Sequence, residues 1–248
     1  MIVLGLNAYH GDSSACIFID SDLVAAAEEE RFTRIKHFAG LPVNAIEFCL
    51  DFAKISIKDV DFIAINQDSS ARKLEKIVFG LKGFSLTSAL KGLSRKRKRK
   101  NIRDALEMHF ETSLSHVGIK YVEHHKAHLA SAFHVSGFSK AACISIDGFG
   151  DFASSMLAVA SEQSIRIEKT TLFPHSAGIF YQSFTQLLGF MNYGDEYKVM
   201  GLAPYGKDTY LEEMRDIIWV DDGQIRLNLE YFLHHKGEVE FSWNGGAP

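Results

Sequence analysis

His124-His125-Lys126-Ala127-His128, and beyond it Ala141-Ala142-Cys143-Ile144-Ser145-Ile146 running into Asp147-Gly148-Phe149-Gly150-Asp151, are the stretches from which fold and chemistry are read together. If the histidine run opens a helix, His124 and His128 stand four residues apart on one face, within reach of a single ion. A strand-end carboxylate, Asp147, can then supply a third ligand. Taken alone, the histidine pair reads more readily as the first turn of a solvated helix, since histidines four apart are common. The downstream segments change the balance. Ala141 to Ile146 is an apolar run of buried-strand type, and an Asp-Gly-x-Gly turn leaving it offers backbone N–H groups to phosphate oxygens beside the carboxylate. Ser155 to Ala160 and Ile165 to Leu172 come next as two further strands. The same strand-plus-hairpin pattern occurs at the start of the chain, in Met1 to Asn7, Ala15 to Ile19 and Leu23 to Glu28, so a repeated α/β unit is expected.

The remaining segments fit that plan. Between the first two strands lies the polar turn Asn7-Ala8-Tyr9-His10-Gly11-Asp12-Ser13-Ser14, either a ligand-facing loop or a surface hairpin. Glu28-Glu29-Glu30 runs into Arg31-Phe32-Thr33-Arg34-Ile35-Lys36-His37, a mixed-charge segment whose charge alone does not tell solvated surface from substrate contact. Pro42 starts a helix with Ile46, Cys49, Leu50 and Ala53 at helical spacing, and Val60 to Asn66 returns as a strand. Helical spacing recurs at Leu74, Ile77, Val78 and Leu81. The run Arg95-Lys96-Arg97-Lys98-Arg99-Lys100 reads as a solvated insertion, with nucleic-acid contact or a nuclear address as the alternatives. Ala105 to Leu114 is expected as a helix and Ile119 to Glu123 as a strand. Ser176 stands where it caps a helix reaching Leu188 or turns its neighbouring amides toward an anion. Gly194 to Gly206 is read as a glycine-rich loop around Lys198, and the segment from Phe241 to Pro248 contains neither a capped helix nor a completed strand.

The 248 residues are 46% apolar with a net charge of −4, enough for one large domain or two similar lobes. Nothing global in that charge favours a nucleic-acid or anionic-membrane partner. The three cysteines, Cys16, Cys49 and Cys143, never stand in Cys-x-x-Cys spacing and sit among apolar neighbours, which predicts small core residues in a reducing, cytoplasmic setting. No apolar run has membrane-spanning length, and no basic segment precedes the first apolar stretch.

Five ordered segments carry a family resemblance. They are Gly5-Leu6-Asn7 with His10-Gly11-Asp12-Ser13-Ser14-Ala15, then Glu28 through His37, then His124-His125-Lys126-Ala127-His128, then Asp147-Gly148-Phe149-Gly150, and last Tyr197-Lys198-Val199-Met200-Gly201-Leu202-Ala203. In this order they resemble the N-terminal part of the O-carbamoyltransferases, which include nodulation-factor and antibiotic carbamoyltransferases. The resemblance implies an actin/hexokinase-like fold built from a duplicated ribonuclease-H-like unit, the first about residues 1–140 and the second beginning at about 141–248. It implies that this piece is incomplete, lacking the C-terminal adenylate-forming domain, and inactive by itself.

By the same resemblance, His124, His128 and Asp147 are ligands of a catalytic metal, Fe²⁺ first, with Zn²⁺ or Mn²⁺ as alternatives. A fourth ligand would come from a later part of the protein. Asp147, Gly148, Phe149, Gly150, Asp151 and Ser176 would hold a carbamoyl-adenylate made from carbamoyl phosphate and ATP, and Lys36 would contact it. His10 would take the proton from the attacking hydroxyl of a small-molecule or sugar acceptor, with Asp12 as its orienter or as an alternative base. Two rival readings stand beside this one. An ATP-dependent kinase of the same superfold would hold Mg²⁺ through carboxylates and phosphates, for which a histidine pair is a poor ligand set. A nucleic-acid-binding module would depend on Arg95 to Lys100 and show strong salt dependence.

Overall fold

The computed structural model describes residues 1–80, 102–162, 164–192 and 194–236. The basic run Arg95 to Lys100 and the segment from Phe241 to Pro248 lie outside the described residues. The chain divides into two compact units, Met1–Ser69 with Leu86–Glu123 and Ser70–Ser85 with His124–Pro248.

The first unit is a five-stranded sheet in the order β3-β2-β1-β4-β5. Strands β1 (Ile2–Asn7), β2 (Ser14–Ile19) and β3 (Asp22–Glu28) form an antiparallel meander, while β4 (Phe62–Ile65) and β5 (Gly118–Tyr121) run parallel to β1. Alternation decides which face is buried: Leu4, Leu6, Ala15, Ile17, Ile63 and Ile65 point into one core. The β2–β3 turn is the residue pair Asp20-Ser21, with Asp20 left-handed at φ 56° and its carboxylate on the Met1 amino group.

Two helices contribute to that core. After α1 (Glu30–Thr33), helix α2 (Val43–Ala53) follows Pro42 and buries Ala45, Ile46, Cys49 and Leu50. Buried side chains the size of Ile46 and Leu50 contribute roughly 1.5–3 kcal/mol each. Three N-terminal groups of α2 bond to the fully buried Glu29: Asn44 N and Nδ2 donate to Oε1 at 3.3 and 2.5 Å, and Ala45 N donates to Oε2 at 2.9 Å. Ile102 and Leu106 reach the same core from the later helix Ile102–His109. That helix stops short of the expected Leu114, because Glu111 turns left-handed at φ 49° and the Glu107 carboxylate accepts the Leu114 N–H at 2.6 Å.

The second unit begins with α3 (Lys73–Gly80), which precedes α4, the helix Ile102–His109 of the first unit, in chain order. It repeats the antiparallel meander as β6 (Lys140–Gly150), β7 (Ala153–Ser161) and β8 (Ser164–Leu172), in the order β6-β7-β8. Helix α5 (His124–Phe133) lies on one face, where Leu129 meets Met156, Ala158, Cys143, Ile165 and Ile167. The opposite face shows Ile144 and Ile146 to solvent, 62% and 54% exposed, on a strand that is an edge among the described residues.

The expected Asp-Gly-x-Gly turn is not where the chain reverses. Strand β6 continues through Gly150, which pairs with Ala153, and the reversal is made by Asp151 and Phe152 at φ 50° and 74°. Two consecutive left-handed residues match the twist of a tight hairpin, and the register shift between Ile146 and Gly150 absorbs the glycines as an irregularity in the strand.

Helices α6 (Ala177–Leu187), α7 (Glu196–Leu202) and α8 (Leu211–Ile217) and the hairpin β9 (Ile218–Asp221)–β10 (Gln224–Leu227) complete the described part, with Ile179, Leu227 and Phe232 as a small core. The segment around Lys198, expected as a glycine-rich loop, is mostly helix α7. Lys198 pairs with the buried Asp195 at 2.6 Å and lies over the rings of Phe190 and Tyr197. The repeated strand-hairpin set within an α/β architecture is the arrangement expected of an actin/hexokinase-like fold. Among the described residues no helix is long and apolar enough to cross a membrane.

Candidate metal centre

Helix α5 starts at His124, and its first N–H is met by a residue far along the chain: His124 N donates to Asp151 Oδ2 at 2.9 Å. The left-handed turn that places Asp151 thus caps the helix that carries the two histidines. The ring of His124 lies against Gly150 so closely that a Cβ there would fall 2.0 Å from its Cδ2. Glycine at this position is therefore a requirement of the site. One turn on, His128 presents its ring on the same face.

Three ligand atoms converge. His124 Nε2 lies 2.7 Å from Asp147 Oδ2, His128 Nε2 is 3.0 Å from His124 Nε2, and His128 Nε2 is 3.6 Å from Asp147 Oδ2. The His124 side chain is 4% exposed, that of His128 50% and that of Asp147 38%, so the cluster is sealed on one side and open on the other. Hydrogen bonds from His124 and then His128 hold the Asp147 carboxyl well below the usual carboxylate range, against the opposing effect of burial. Asp147 Oδ1 accepts the Gly148 N–H at 2.6 Å.

The donor set fits a divalent transition-metal ion. With neutral imidazoles, the one Nε2 proton of His124 cannot serve Asp147 while the same nitrogen accepts from His128. The triad is satisfied by an added proton or by a cation. Ligands about 2.0–2.2 Å from a metal stand roughly 2.9 Å apart on an octahedron edge and roughly 3.3 Å apart on a tetrahedron edge, and the three observed separations bracket those values. Two imidazoles and a carboxylate suit iron, zinc or manganese. Among the described residues this is the group of three or more His, Cys, Asp or Glu placed to hold an ion.

Ser176 supports the strand end that delivers Asp147. As N-cap of α6 its Oγ accepts from Ile179 N at 3.1 Å, and it donates toward Asp147 O and Gly148 O at 3.1 and 2.8 Å. Gly178 lets α6 approach the same backbone, since a Cβ there would meet Gly148 at 2.7 Å. Phe149 turns away into an aromatic cluster, 5.0 Å from the Phe173 ring and stacked on His234 at 6.1 Å. His125 is fully buried beside His124 and His128, with Nδ1 2.8 Å from Ser145 Oγ, and burial pushes its imidazole below the ordinary histidine range.

In the first unit, the loop carrying His10 and Asp12 is tied to the residues after Lys36. Tyr9 N and Ser13 Oγ donate to Gly40 O, and Ser13 N donates to Phe38 O, all at 2.9 Å. Asp12 faces His37 at 2.8 Å, both residues being left-handed at φ 59° and 55°, whereas the His10 Nδ1 contact is to Gly11 O at 3.3 Å. Lys36 is exposed. Three residues outside the sequence-based set make contacts beside these groups: His37 with Asp12, His125 with Ser145 and Glu29 with Asn44 and Ala45. His37 and His125 stand directly beside predicted site residues, a hint that adjacency alone provides.

Known proteins share this sequence pattern. Residues 2–242 match a protein family described as carbamoyltransferase N-terminus. An uncharacterized protein of Synechocystis sp. is 36% identical over 266 aligned residues, covering 99% of this chain and 42% of its own length. Nodulation protein NolNO of Sinorhizobium fredii is 34% identical over 228 residues, covering 90% of this chain and 32% of its own length. The chain thus spans less than half the length of these relatives. Among solved structures, YeaZ from Pseudomonas aeruginosa aligns with a TM-score of 0.36 at 13% identity, over 71% of this chain and 68% of that one.

Proposed function

Because the chain belongs to the carbamoyltransferase N-terminus family, we propose that it is the metal-holding N-terminal part of an O-carbamoyltransferase. The whole protein would transfer a carbamoyl group from carbamoyl phosphate, through a carbamoyl-adenylate made with ATP, to a hydroxyl of a small molecule or sugar. The observation that supports this most directly is the convergence of His124 Nε2, His128 Nε2 and Asp147 Oδ2. A kinase of similar architecture would hold Mg²⁺ through oxygen ligands, and two imidazoles in the cluster count against that reading.

When bound, the metal would supply Lewis-acid stabilisation of negative charge on the carbamoyl oxygen or the leaving phosphate. The chain's own residues do the rest. Asp147, kept anionic by its histidine neighbours, provides the negative ligand, and His124, fixed between Gly150 and Asp151, provides an immobile nitrogen. Asp147 to Asp151 and Ser176 form the adenylate-holding segment, with Ser176 acting through the backbone of Asp147 and Gly148. Lys36 contributes a cation toward phosphate. Proton removal from the acceptor hydroxyl falls to the loop of His10 and Asp12, where His37 holds the Asp12 carboxylate in place. A C-terminal domain beyond this chain would form the adenylate.

Elemental analysis of the purified chain beside a His124→Ala/His128→Ala double variant tests the reading. Near-stoichiometric iron or zinc in the parent and none in the variant is expected. Absence of metal from both after anaerobic loading with Fe²⁺ refutes the site as drawn.

A further inference from the structure

His125 stands between the two ligand histidines in sequence and beside them in space. Its side chain is fully buried, with its ring edge-on to His124 (centroids 5.5 Å, 82°) and tilted against His128 (6.1 Å, 58°). Its Nδ1 is 2.8 Å from Ser145 Oγ. Ser145 lies on β6 two residues before Asp147, and both side chains reach α5, Ser145 at His125 and Asp147 at His124. The His125–Ser145 bond therefore joins the helix that carries two ligands to the strand that carries the third, one residue from His124 and two from Asp147. A slide of α5 along β6 would have to break this bond before it could alter the spacing of the three ligand atoms.

We propose that His125 is a positioning residue of the metal centre, which through Ser145 sets the register of α5 on β6 and, by ring contact, the planes of the His124 and His128 imidazoles. The proposal rests on the metal reading of the His124, His128 and Asp147 cluster. A buried phenylalanine would fill much of the same volume and back the ligand rings, so the presence of an imidazole bonded to a serine hydroxyl points to registration. Outer partners that orient ligands without touching the metal commonly alter metal affinity by about 10- to 100-fold.

The test is titration of the metal-free 248-residue chain with Co²⁺, reading the visible absorption of the bound ion, whose energy and intensity report ligand geometry. His125→Phe and Ser145→Ala should both bind Co²⁺ about 10- to 100-fold more weakly than the parent, with a changed spectrum. His125→Asn, whose side-chain oxygen falls near the place of Nδ1, should recover part of the loss. Thermal unfolding of the metal-free variants separates registration from general stability, and Ser145→Ala decides the matter if His125→Phe does not fold. Parent-like affinity and spectrum in Ser145→Ala and in any folded His125→Phe overturn the proposal, even if their melting temperatures drop. A parent chain that binds no Co²⁺ overturns the metal reading itself, and this proposal with it.

Discussion

Replacing Glu29 by alanine should be among the most damaging single substitutions in the first unit, although the residue sits in a run of three glutamates that reads, by charge alone, as either solvated surface or a substrate-facing loop. Its carboxylate is fully buried and accepts from Asn44 N, Asn44 Nδ2 and Ala45 N, closing the N-terminus of α2. Two backbone donors to a charged acceptor, at about 1.5–3 kcal/mol each, are only partly recovered by water in such a place, so the net loss is about 3–5 kcal/mol. That is a large share of the ~5–15 kcal/mol by which domains are usually stable. Glu29→Gln keeps the shape and one acceptor oxygen but turns an NH₂ toward a donor, and should cost about half as much. Glu28→Ala is the control: its exposed side chain touches Arg31 at 3.8 Å and should matter by less than about 0.5 kcal/mol. Hydrogen exchange measured on peptides covering α2 reads the effect locally, and protection should fall by about a hundredfold or more in Glu29→Ala at about 1.4 kcal/mol per tenfold. Protection within about threefold of the parent, or a glutamine variant as weak as the alanine one, would refute the capping argument.

Gly150→Ala should displace the His124 ring and cut metal stoichiometry below half, while Gly148→Ala, whose Cβ meets nothing within 4 Å, should retain it; equal metal content in the two variants would contradict this. Ser176→Ala removes the cap of α6 and should cost about 1–2 kcal/mol in urea unfolding, with no change in the midpoint counting against the capping role. Burial, aided by Arg226 and His235 at His175 and by His235 and His175 at His234, keeps the pKa of both imidazoles below the ordinary value. The unfolded chain therefore binds protons that the fold refuses. The contribution of these histidines is fully present above about pH 6.5 and is lost as pH falls through their depressed native values. Melting temperatures of the metal-free chain should decline from about pH 7 to about pH 5, and a level profile would exclude the effect.

Features that depend on short spacing are legible in the sequence. The strands declare themselves through alternation, as in Leu4 and Leu6 or Ile63 and Ile65, and α2 through Ile46, Cys49 and Leu50. The pairing of His124 with His128 follows from one helical turn, and Asp147 from its position near a strand end. Features that depend on partners distant in the chain stay hidden. Nothing in the spacing tells that Asp12 meets His37, that Glu29 rather than Glu28 or Glu30 turns inward to Asn44, or that Asp151 caps the helix begun by His124. The turn expected at Asp147 lies elsewhere because glycines signal reversal by default, whereas Gly150 serves close approach and the reversal falls on two residues that carry side chains. Lys198 is helical rather than in a loop for a related reason: Gly194, Gly201 and Gly206 outweigh, to a reader of the sequence, the helical run between them.

Strand β6 carries Asp147 while leaving one row of its backbone groups unpaired among the described residues and two isoleucines uncovered. Such an edge is a template for any other extended chain. The carboxylate proposed to hold the ion thus rides on a strand whose outer edge can pair with another chain, and occupancy of the proposed ion site would be thermodynamically linked to whatever pairs there. A neighbour that tightens the pleat near Ile146 would be felt as a change in ion affinity, and by reciprocity the ion would change the strength of that association. In concentrated solution the metal-free chain and the metal-loaded chain should then differ in their colloidal behaviour.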